Sequence, residues 1–276
     1  CGRVYRSELT MDEPRSLAGL DTSKAHVARV YDYWLGGKDN FKADREAAEL
    51  MIQQYPDIVT GVRKNRAFLG RAVHYLAAEA GIRQFLDIGT GLPSSNNTHE
   101  VAQRAAPDAR IVYVDNDPIV LSHAQALLTS TPEGACAYVD ADIRDTGKIL
   151  EDAANVLDFS RPVAICLIMI LQFVPDEDDP VSIVRALVDA IPSGSYLTVA
   201  HPASDVDQHV GPALRQLSTR MGGTRAVPRS HQEVSRFFDG LEMVEPGLVQ
   251  LHRWRPGTGL DDTGRLRRRR PQALAR

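Results

Sequence analysis

The sequence predicts an α/β fold in which a doubly wound, mainly parallel β-sheet is covered by helices on both faces. After Gly81, short apolar runs alternate with stretches of helical periodicity. The runs lack the polar alternation of a half-exposed sheet, which is typical of strands buried on both sides. With 276 residues, 43% of them hydrophobic and 25% charged, the chain suits one large domain of this class with an added helical segment.

Three helices are predicted before the sheet, over residues 21–35, 41–54 and 62–80. Asp21 or Thr22, and later Asn40, are suitable N-cap residues, and Gly81 ends the third helix. We expect residues 21–80 to form a helical lid on a sheet domain that spans residues 81–256. Residues 1–20 are predicted to be disordered or non-native and have no role in the fold, with Met11 as a candidate start.

Five strands follow, with helices between them. The strands are predicted at 84–88, 110–115, 136–141, 162–168 and 195–201, and the helices at 98–106, 118–129, 146–155 and 181–191. A further helix pair, at 206–221 and 231–239, precedes "EMVEPGLVQLHRW". The Pro-Gly pair in that stretch predicts a turn, so we expect two short strands to form an antiparallel hairpin at the sheet edge.

The distribution of charge argues against a nucleic-acid enzyme. The net charge is −4, but residues 253–276 hold eight Arg and two Asp, a local +6, so the remaining residues carry −10. A fold that binds nucleic acid carries its positive charge on the folded face, so we interpret residues 257–276 as a mobile basic tail. No apolar run approaches the ~20 residues of a membrane helix, and three scattered cysteines indicate a reducing, cytoplasmic location.

Acidic residues stand at the ends of three of the five predicted strands. Asp87 comes just before the "GTG" turn, Asp115 ends the second strand, and Asp142 follows the third. In an open parallel sheet, ligands bind beyond the carboxyl ends of the strands, so we expect these carboxylates to meet at one ligand. The alternative is that each Asp only caps the next helix or turn, but three of them beside a glycine turn favour a ligand.

The charge of Asp87 distinguishes two ligand classes. "GTGLPS" fits a dinucleotide-binding pattern, but a pyrophosphate at the following helix would then lie beside this carboxylate. S-adenosylmethionine (SAM) has no phosphate, and its ammonium and sulfonium groups are attracted to a carboxylate. Asp115 would accept hydrogen bonds from the ribose hydroxyls, Asp142 would accept one from the adenine amino group, and the Ile143 backbone would bind a ring nitrogen. We therefore favour SAM over a nicotinamide dinucleotide.

Several segments resemble those of one bacterial enzyme family. "FLDIGTGLP", "VYVDNDPIVL" and "DADIRD" are similar to class I SAM-dependent methyltransferases. "ARVYDYWLGGKDNFKADREAAE", "NRAFLGRAV", "NTHEVAQ" and "LIMILQFVPD" look like the S-adenosyl methyltransferase family, formerly listed as a domain of unknown function. The resemblance covers residues 21–256 and implies a Rossmann-like SAM-binding fold, but it implies no settled substrate.

By this resemblance, the SAM contacts follow the first three strands and are Asp87, Gly89, Thr90, Gly91, Asp115, Asn116, Asp142 and Ile143. The Asn/Asp-Pro-Pro-aromatic motif of adenine- and glutamine-methylating enzymes is absent, and the fourth strand reads "CLIMIL". The product of SAM would be S-adenosylhomocysteine (SAH). We expect no metal, because the sulfonium is already an activated leaving group.

The helical lid supplies further candidates for binding SAM. In many methyltransferases a tyrosine from a helix before the sheet closes over SAM, and Tyr31 and Tyr33 lie near the end of the first predicted helix. Two glycines follow that could hinge such a lid, and the alternative is that the aromatic residues are part of a core. Arg63 or Arg66 would pair with the methionine carboxylate through a planar guanidinium, and the alternative is a surface arginine.

Three residues are predicted to wall the acceptor side of the sulfonium: Tyr33, Gln172 and His201. His201 follows the fifth strand and would act as a general base on a hydroxyl or an amine, or else is satisfied by backbone. Gln172 would face the transferred methyl group, or else is an ordinary loop residue. Catalysis would consist mostly of aligning the nucleophile, the methyl carbon and the sulfur.

The sequence thus predicts a SAM-dependent methyltransferase that acts on a small molecule, with no nucleic-acid partner and no membrane. Two alternatives stay open. A non-catalytic, regulatory SAM-binding protein is favoured by the apolar fourth strand and by the lack of an evident base. An NAD(P)-dependent oxidoreductase is favoured by the glycine pattern alone.

Overall fold

A computed structural model describes residues 21–94, 96–120, 130–206, 209–220 and 225–257. Five parallel strands form one sheet in the order β3-β2-β1-β4-β5: β1 Gln84–Ile88, β2 Arg110–Asp115, β3 Ala135–Asp140, β4 Ala164–Ile168 and β5 Tyr196–Ala200. The predicted α/β class and parallel sheet are confirmed. The strand order reverses between β1 and β4, and ligands bind at such a switch point. The N-terminal segment 1–20 and residues 258–276 of the predicted tail lie outside the described residues.

Helices cover the sheet and form the lid. The described helices are α1 Val27–Leu35, α2 Lys42–Gln54, α3 Ile58–Ala78, α4 Thr98–Ala105, α5 Thr146–Ala153, α6 Pro180–Asp189, α7 Val210–Arg220 and α8 His231–Ser235. Short 3-10 turns add Leu171–Phe173, Asp176–Asp178, Arg236–Phe238 and Leu251–Arg253. Residues 118–120 begin the helix predicted at 118–129, and its remainder lies outside the described residues. None of the described helices is long and apolar enough to cross a bilayer.

Alternate residues of the central strands enter two hydrophobic cores, one on each face of the sheet. Leu86 of β1 packs in one core with Ile149 of α5 and Leu187 of α6. Phe85, its neighbour in the chain, packs on the opposite face with Leu76 of α3. Because both faces are covered, strand residues of either orientation are apolar, which explains the continuous apolar runs in the sequence.

A third hydrophobic core lies apart from the sheet and holds the helical lid together. Trp34 of α1, Met51 of α2 and Val62 of α3 are buried in a cluster with Leu214 and Leu217 of α7. The second half of α3 continues into the core on one face of the sheet. Helix α3 therefore connects the lid to the sheet, while α1 and α2 are buried mainly against other helices.

Two lid helices begin at other residues than predicted. Helix α1 begins at Val27, with His26 as its N-cap, because the Asp21 carboxylate accepts a hydrogen bond from Ser23 N (3.0 Å) in a local turn. Helix α3 begins four residues earlier than expected, at Ile58. Asn40 does not cap α2; its Nδ2 donates to Asp32 Oδ2 (2.9 Å) and ties the loop back to α1.

The predicted antiparallel hairpin at the sheet edge is wrong. Residues 242–254 are all described and contain no strand. Arg71 of α3 donates hydrogen bonds to the carbonyl oxygens of Leu251 (2.6 Å) and Trp254 (3.0 Å), and the Trp254 ring packs edge-on against Phe68. Carbonyl groups that are satisfied by a guanidinium need no strand ladder, so this segment is anchored to a helix instead of to the sheet.

Candidate functional site

A glycine turn connects β1 to α4 at the carboxyl edge of the sheet. Gly89 and Gly91 have φ values of 75° and 67°, in the region that favours glycine. A Cβ on Gly89 would lie 2.6 Å from Cγ1 of Ile170 in the loop after β4. Gly89 N donates to the carbonyl oxygen of Val114 at 2.8 Å. The turn therefore packs closely between the ends of β2 and β4.

Asp115 joins this turn to the end of β2. Its Oδ2 accepts a hydrogen bond from Gly91 N (2.8 Å), and its Oδ1 accepts one from Asp117 N (3.0 Å). Burial raises the pKa of the Asp115 carboxyl, and these two backbone donors oppose the rise. A carboxylate has about four acceptor positions, so Asp115 can still accept hydrogen bonds from a ligand.

Asp87 is buried more deeply than Asp115 and lies beneath the turn. Thr98, the first residue of α4, donates its hydroxyl to Asp87 Oδ2 at 2.5 Å. Burial raises the pKa of Asp87 to about 6, against the opposing effects of the Thr98 hydrogen bond and the Arg66 guanidinium. The ionised carboxylate is therefore poorly compensated, and a cationic ligand group would stabilise it.

Asp142 is more exposed, and its oxygens already accept hydrogen bonds. Arg144 Nη1 lies 2.9 Å from Asp142 Oδ1, and Asn116 Nδ2 donates to Asp142 Oδ2 at 3.1 Å. Arg144 also pairs with Asp178 at 2.7 Å. The neighbouring Ile143 is buried. Among the described residues, no group of three His, Cys, Asp or Glu side chains could hold a metal ion.

Two cavities adjoin above these strand ends. The larger cavity, of about 480 Å³, extends towards Asp142, Ile143 and Arg144. The smaller cavity, of about 110 Å³, extends beneath the lid towards Asp87 and Arg66. Both are lined by His26, Val27, Gly89, Asp115, Asn116, Ile170 and Phe173. We call these seven residues the junction, because they belong to both spaces.

The structure brings together all the strand-end residues that were predicted to bind SAM. Each of the following lines one or both cavities: Asp87, Gly89, Thr90, Gly91, Asp115, Asn116, Asp142 and Ile143. Tyr31 and Arg66 of the lid line the smaller cavity as well. Arg63 is exposed and lines neither. That these residues bind SAM remains a prediction.

Tyr31 and Asn65 form a buried polar pair at the smaller cavity. Asn65 Nδ2 donates to the Tyr31 hydroxyl oxygen at 2.8 Å, and burial raises the pKa of that hydroxyl. Asn65 Oδ1 is buried and has no hydrogen-bond partner within the described part of the chain. A buried amide oxygen is normally paired, so Asn65 offers an acceptor to a ligand in this cavity.

Of the three residues predicted on the acceptor side, His201 lies outside both cavities. Its Nδ1 lies 2.9 Å from the carbonyl oxygen of Pro202, and its Nε2 lies 3.1 Å from Arg229 Nη1. Burial lowers the pKa of His201 to about 4, and the charge of Arg229 adds to this effect. Both ring nitrogens are thus engaged by the protein, and the structure does not bring the predicted general base to either cavity.

Tyr33 and Gln172 are also outside both cavities. Tyr33 is two residues from Tyr31 in α1 and therefore points to another side of the helix, where its hydroxyl contacts the Glu49 carboxylate of α2. Gln172 is buried, and its Nε2 donates to the carbonyl oxygen of Met169 at 2.7 Å. These two side chains stabilise the lid and the loop after β4 instead of walling a pocket.

The sequence analysis missed several residues that line the cavities. Ile170 and Phe173 come from the loop after β4, and Arg144 comes from the loop after β3. His26 comes from the segment before α1, where its Nδ1 lies 2.8 Å from Asp117 Oδ2. The sequence carries no local signal for that pair, because its two residues come from segments that meet only in the fold.

Comparisons with known proteins show what this chain is similar to. A family model described as S-adenosyl methyltransferase matches residues 13–273. A solved structure of a DUF574 family protein from Streptomyces avermitilis MA-4680 is 49% identical, covers 89% of this chain and 96% of its own, and has a TM-score of 0.83. A putative methyltransferase from Thermobifida fusca YX is 42% identical, with 90% and 94% coverage and a TM-score of 0.81. A comparison with curated proteins gives no match.

Proposed function

We propose that SAM binds across the two adjoining cavities and methylates a small molecule. The premise is that this chain belongs to the S-adenosyl methyltransferase family and is a SAM-dependent methyltransferase. One observation carries the proposal. Asp87, Asp115 and Asp142, which come from three neighbouring parallel strands, line two adjoining cavities beside the glycine turn, and Asp115 lines both. The ammonium, the ribose diol and the adenine amino group of SAM together supply a donor for each carboxylate.

The smaller cavity suits the methionine end of SAM. Asp87 offers a carboxylate to the ammonium group, and Asn65 Oδ1 offers an unpaired acceptor beside it. Arg66 lines the same cavity and supplies a guanidinium for the methionine carboxylate. Both charges of the amino-acid end would then find partners of opposite sign.

The larger cavity suits adenosine. Its volume of about 480 Å³ lies within the range of small-molecule sites. Asp115 at the junction would accept from the ribose hydroxyls, and Asp142 would share its acceptor positions between adenine and Arg144. Ile143 and Phe173 supply apolar surface for the ring.

The acceptor would bind beneath the helical lid, near the loop after β4. Leu35, Met169 and Phe173 line that side of the smaller cavity, which supports a small acceptor with an apolar body. Since His201 lies outside the cavities, the proposed mechanism depends mainly on holding the nucleophile in line with the methyl carbon and the sulfur.

Calorimetric titration with SAM and SAH tests the proposal. We expect both to bind the wild-type protein, and we expect Asp115→Ala to weaken binding at least ~10-fold, because hydrogen bonds to a charged acceptor contribute about 1.5–3 kcal/mol each. Asp140→Ala is the matched control: Asp140 is exposed, pairs with Asp115 in the β2–β3 register and lines neither cavity. Absence of binding at millimolar SAM, or undiminished binding by Asp115→Ala, would contradict the proposal.

A further inference from the structure

His26 is a junction residue whose position is fixed by two buried acids. Its backbone N donates to Oδ1 of Asp44 at 2.8 Å, and its Nδ1 lies 2.8 Å from Oδ2 of Asp117. Asp44 belongs to α2, whereas Asp117 follows β2 and is only 3% exposed. His26 therefore connects the helical lid, through its backbone, with the edge of the sheet, through its ring, where the two cavities adjoin.

The contact with Asp117 engages Nδ1, one of the two ring nitrogens of His26. Burial raises the pKa of Asp117, but the hydrogen bond and charge of His26 and the amide of Ile119 outweigh it and leave the pKa below its usual value. Because Asp117 is an ionised acceptor, Nδ1 must be the donor. The Ala28 amide is farther from Nδ1, at 3.4 Å. Nε2 is the ring nitrogen that the protein leaves open, since it has no hydrogen-bond partner among the residues that the structure describes.

The junction is also where the proposed orientation of SAM places the ribose. His26 and Asp115 line both cavities, and His26 is near enough to Asp115 to influence the pKa of that carboxyl. A ribose diol has two hydroxyl donors, whereas Asp142 and Asp87 serve the two ends of the molecule. A second hydrogen-bonding side chain at the junction, that of His26, therefore matches the second hydroxyl.

We propose that Nε2 of His26 binds the ribose of SAM through a hydrogen bond with one hydroxyl, which can either donate or accept, while Asp115 accepts a hydrogen bond from the other. Asp117 is the positioning residue that holds the ring in this orientation. This inference rests on the proposed function and on its orientation of SAM. It assigns a contact from the segment before α1, so that the lid itself would take part in holding the methyl donor.

A thermodynamic cycle tests this contact without knowledge of the acceptor. Calorimetry gives the affinities of the full-length wild-type protein and of His26→Asn for SAH and for 2′,3′-dideoxy-SAH, which lacks both ribose hydroxyls. Asparagine is a favoured N-cap, so α1 keeps its start, while the imidazole is removed. We expect the dideoxy probe to bind the wild-type protein ~100-fold more weakly than SAH does. For His26→Asn we expect the dideoxy probe to bind only ~10-fold more weakly than SAH, since one hydrogen bond accounts for about tenfold in affinity.

Three further variants complete the cycle. Asp117→Asn should also reduce the dependence on the hydroxyls, by about threefold or more, because the His26 ring is no longer held in place by a carboxylate. A merely structural role of Asp117 would weaken both probes equally and leave their ratio unchanged. Asp115→Ala should show a reduced ratio as a reference for the ribose site, and Asp140→Asn should keep the full wild-type ratio.

The outcomes separate the two levels of the hypothesis. If His26→Asn keeps the wild-type ratio between SAH and the dideoxy probe, the ribose contact of His26 is overturned while the proposed function stands. If the wild-type protein does not bind SAH, or binds the two probes equally, the proposed orientation of SAM fails, and this inference fails with it.

Discussion

Asp87 illustrates how one residue meets opposite demands in folding and in binding. Its carboxyl is buried beneath the glycine turn, with one hydroxyl donor from Thr98, and burial raises its pKa from 3.8 to about 6. A raised pKa means that the folded state binds the proton more tightly than the unfolded state does. The contribution of this group to stability is therefore greatest in acid and is lost as the pH rises from about 4 to about 6.

We expect Asp87→Asn to stabilise the protein without ligand and to weaken its binding of SAM. At pH 7 the variant removes a buried charge whose pKa shift corresponds to on the order of 3 kcal/mol, while the asparagine carbonyl can still accept from Thr98. Urea denaturation at pH 7 measures the gain, and Asp140→Asn, at an exposed position, is the control. A decrease in the free energy of unfolding would contradict this reading of the site.

The affinity for SAH should depend on pH through the same carboxyl. Above about pH 7 Asp87 is ionised and attracts the ammonium group, so the affinity should be flat from pH 7 to 8. Below about pH 6 a proton competes with the ligand, and we expect the dissociation constant to rise by up to tenfold per pH unit. Calorimetry from pH 8 to pH 5 measures the slope, and a slope that persists in Asp87→Asn would assign it to another group.

At the scale of single residues, the sequence predicts which acidic residues reach the site better than it predicts the direction in which a side chain points. Asp87 and Asp115 could be identified because strand ends in a parallel sheet meet at one edge. The same logic placed His201 in the site, but its ring turns towards Arg229, and no pattern in the sequence shows that turn. His26 was missed because its partner Asp117 is distant in the chain and the pair exists only in the fold.

Among the structural elements, the glycine turn after β1 leaves little room for a side chain at one of its two glycines. Gly89 is surrounded by the ends of β2 and β4, whereas a Cβ on Gly91 would meet no atom within 4 Å. Both residues have positive φ, so both resist substitution by strain of the backbone. Gly89 alone also lacks the space for a side chain.

A comparison of Gly89→Ala with Gly91→Ala separates backbone strain from crowding. Each should lose about 1 kcal/mol or more to the positive φ, and Gly89→Ala should lose an additional 1–3 kcal/mol because its methyl group would overlap Ile170. Chemical denaturation of the two variants measures the difference. Equal losses of stability in the two variants would show that the loop after β4 shifts at no cost to make room for the methyl group.

The elements themselves were largely predictable, and the failures have identifiable causes. Strands and sheet helices follow from apolar runs and capping residues that act locally. The hairpin expected around the Pro-Gly pair did not form because Arg71 holds the backbone of that segment from α3. Such a contact, between residues about 180 positions apart, overrides a local turn signal.

At the scale of the whole molecule, the site depends on two parts that are packed separately. The sheet has a core on each face, and the helical lid has its own core together with α7. The sequence indicated both the sheet and a preceding helical segment, but it could not show that α7, far along the chain, would complete the core of the lid. The cavities lie between these two parts.

The separate core of the lid has a kinetic consequence. Because Trp34, Met51 and Leu217 are buried in one cluster, we expect α1, α2 and α7 to move off the strand ends as a cooperative unit, while the second half of α3 stays packed in the sheet core. We expect hydrogen-exchange mass spectrometry to show that amides in α1 and α2 open at a lower free energy than those in β1 and β2, and that SAH slows the exchange of the lid. Uniform opening energies across lid and sheet would argue against this. The residence time of the bound donor would then be governed by how often the lid opens as well as by the contacts inside the site.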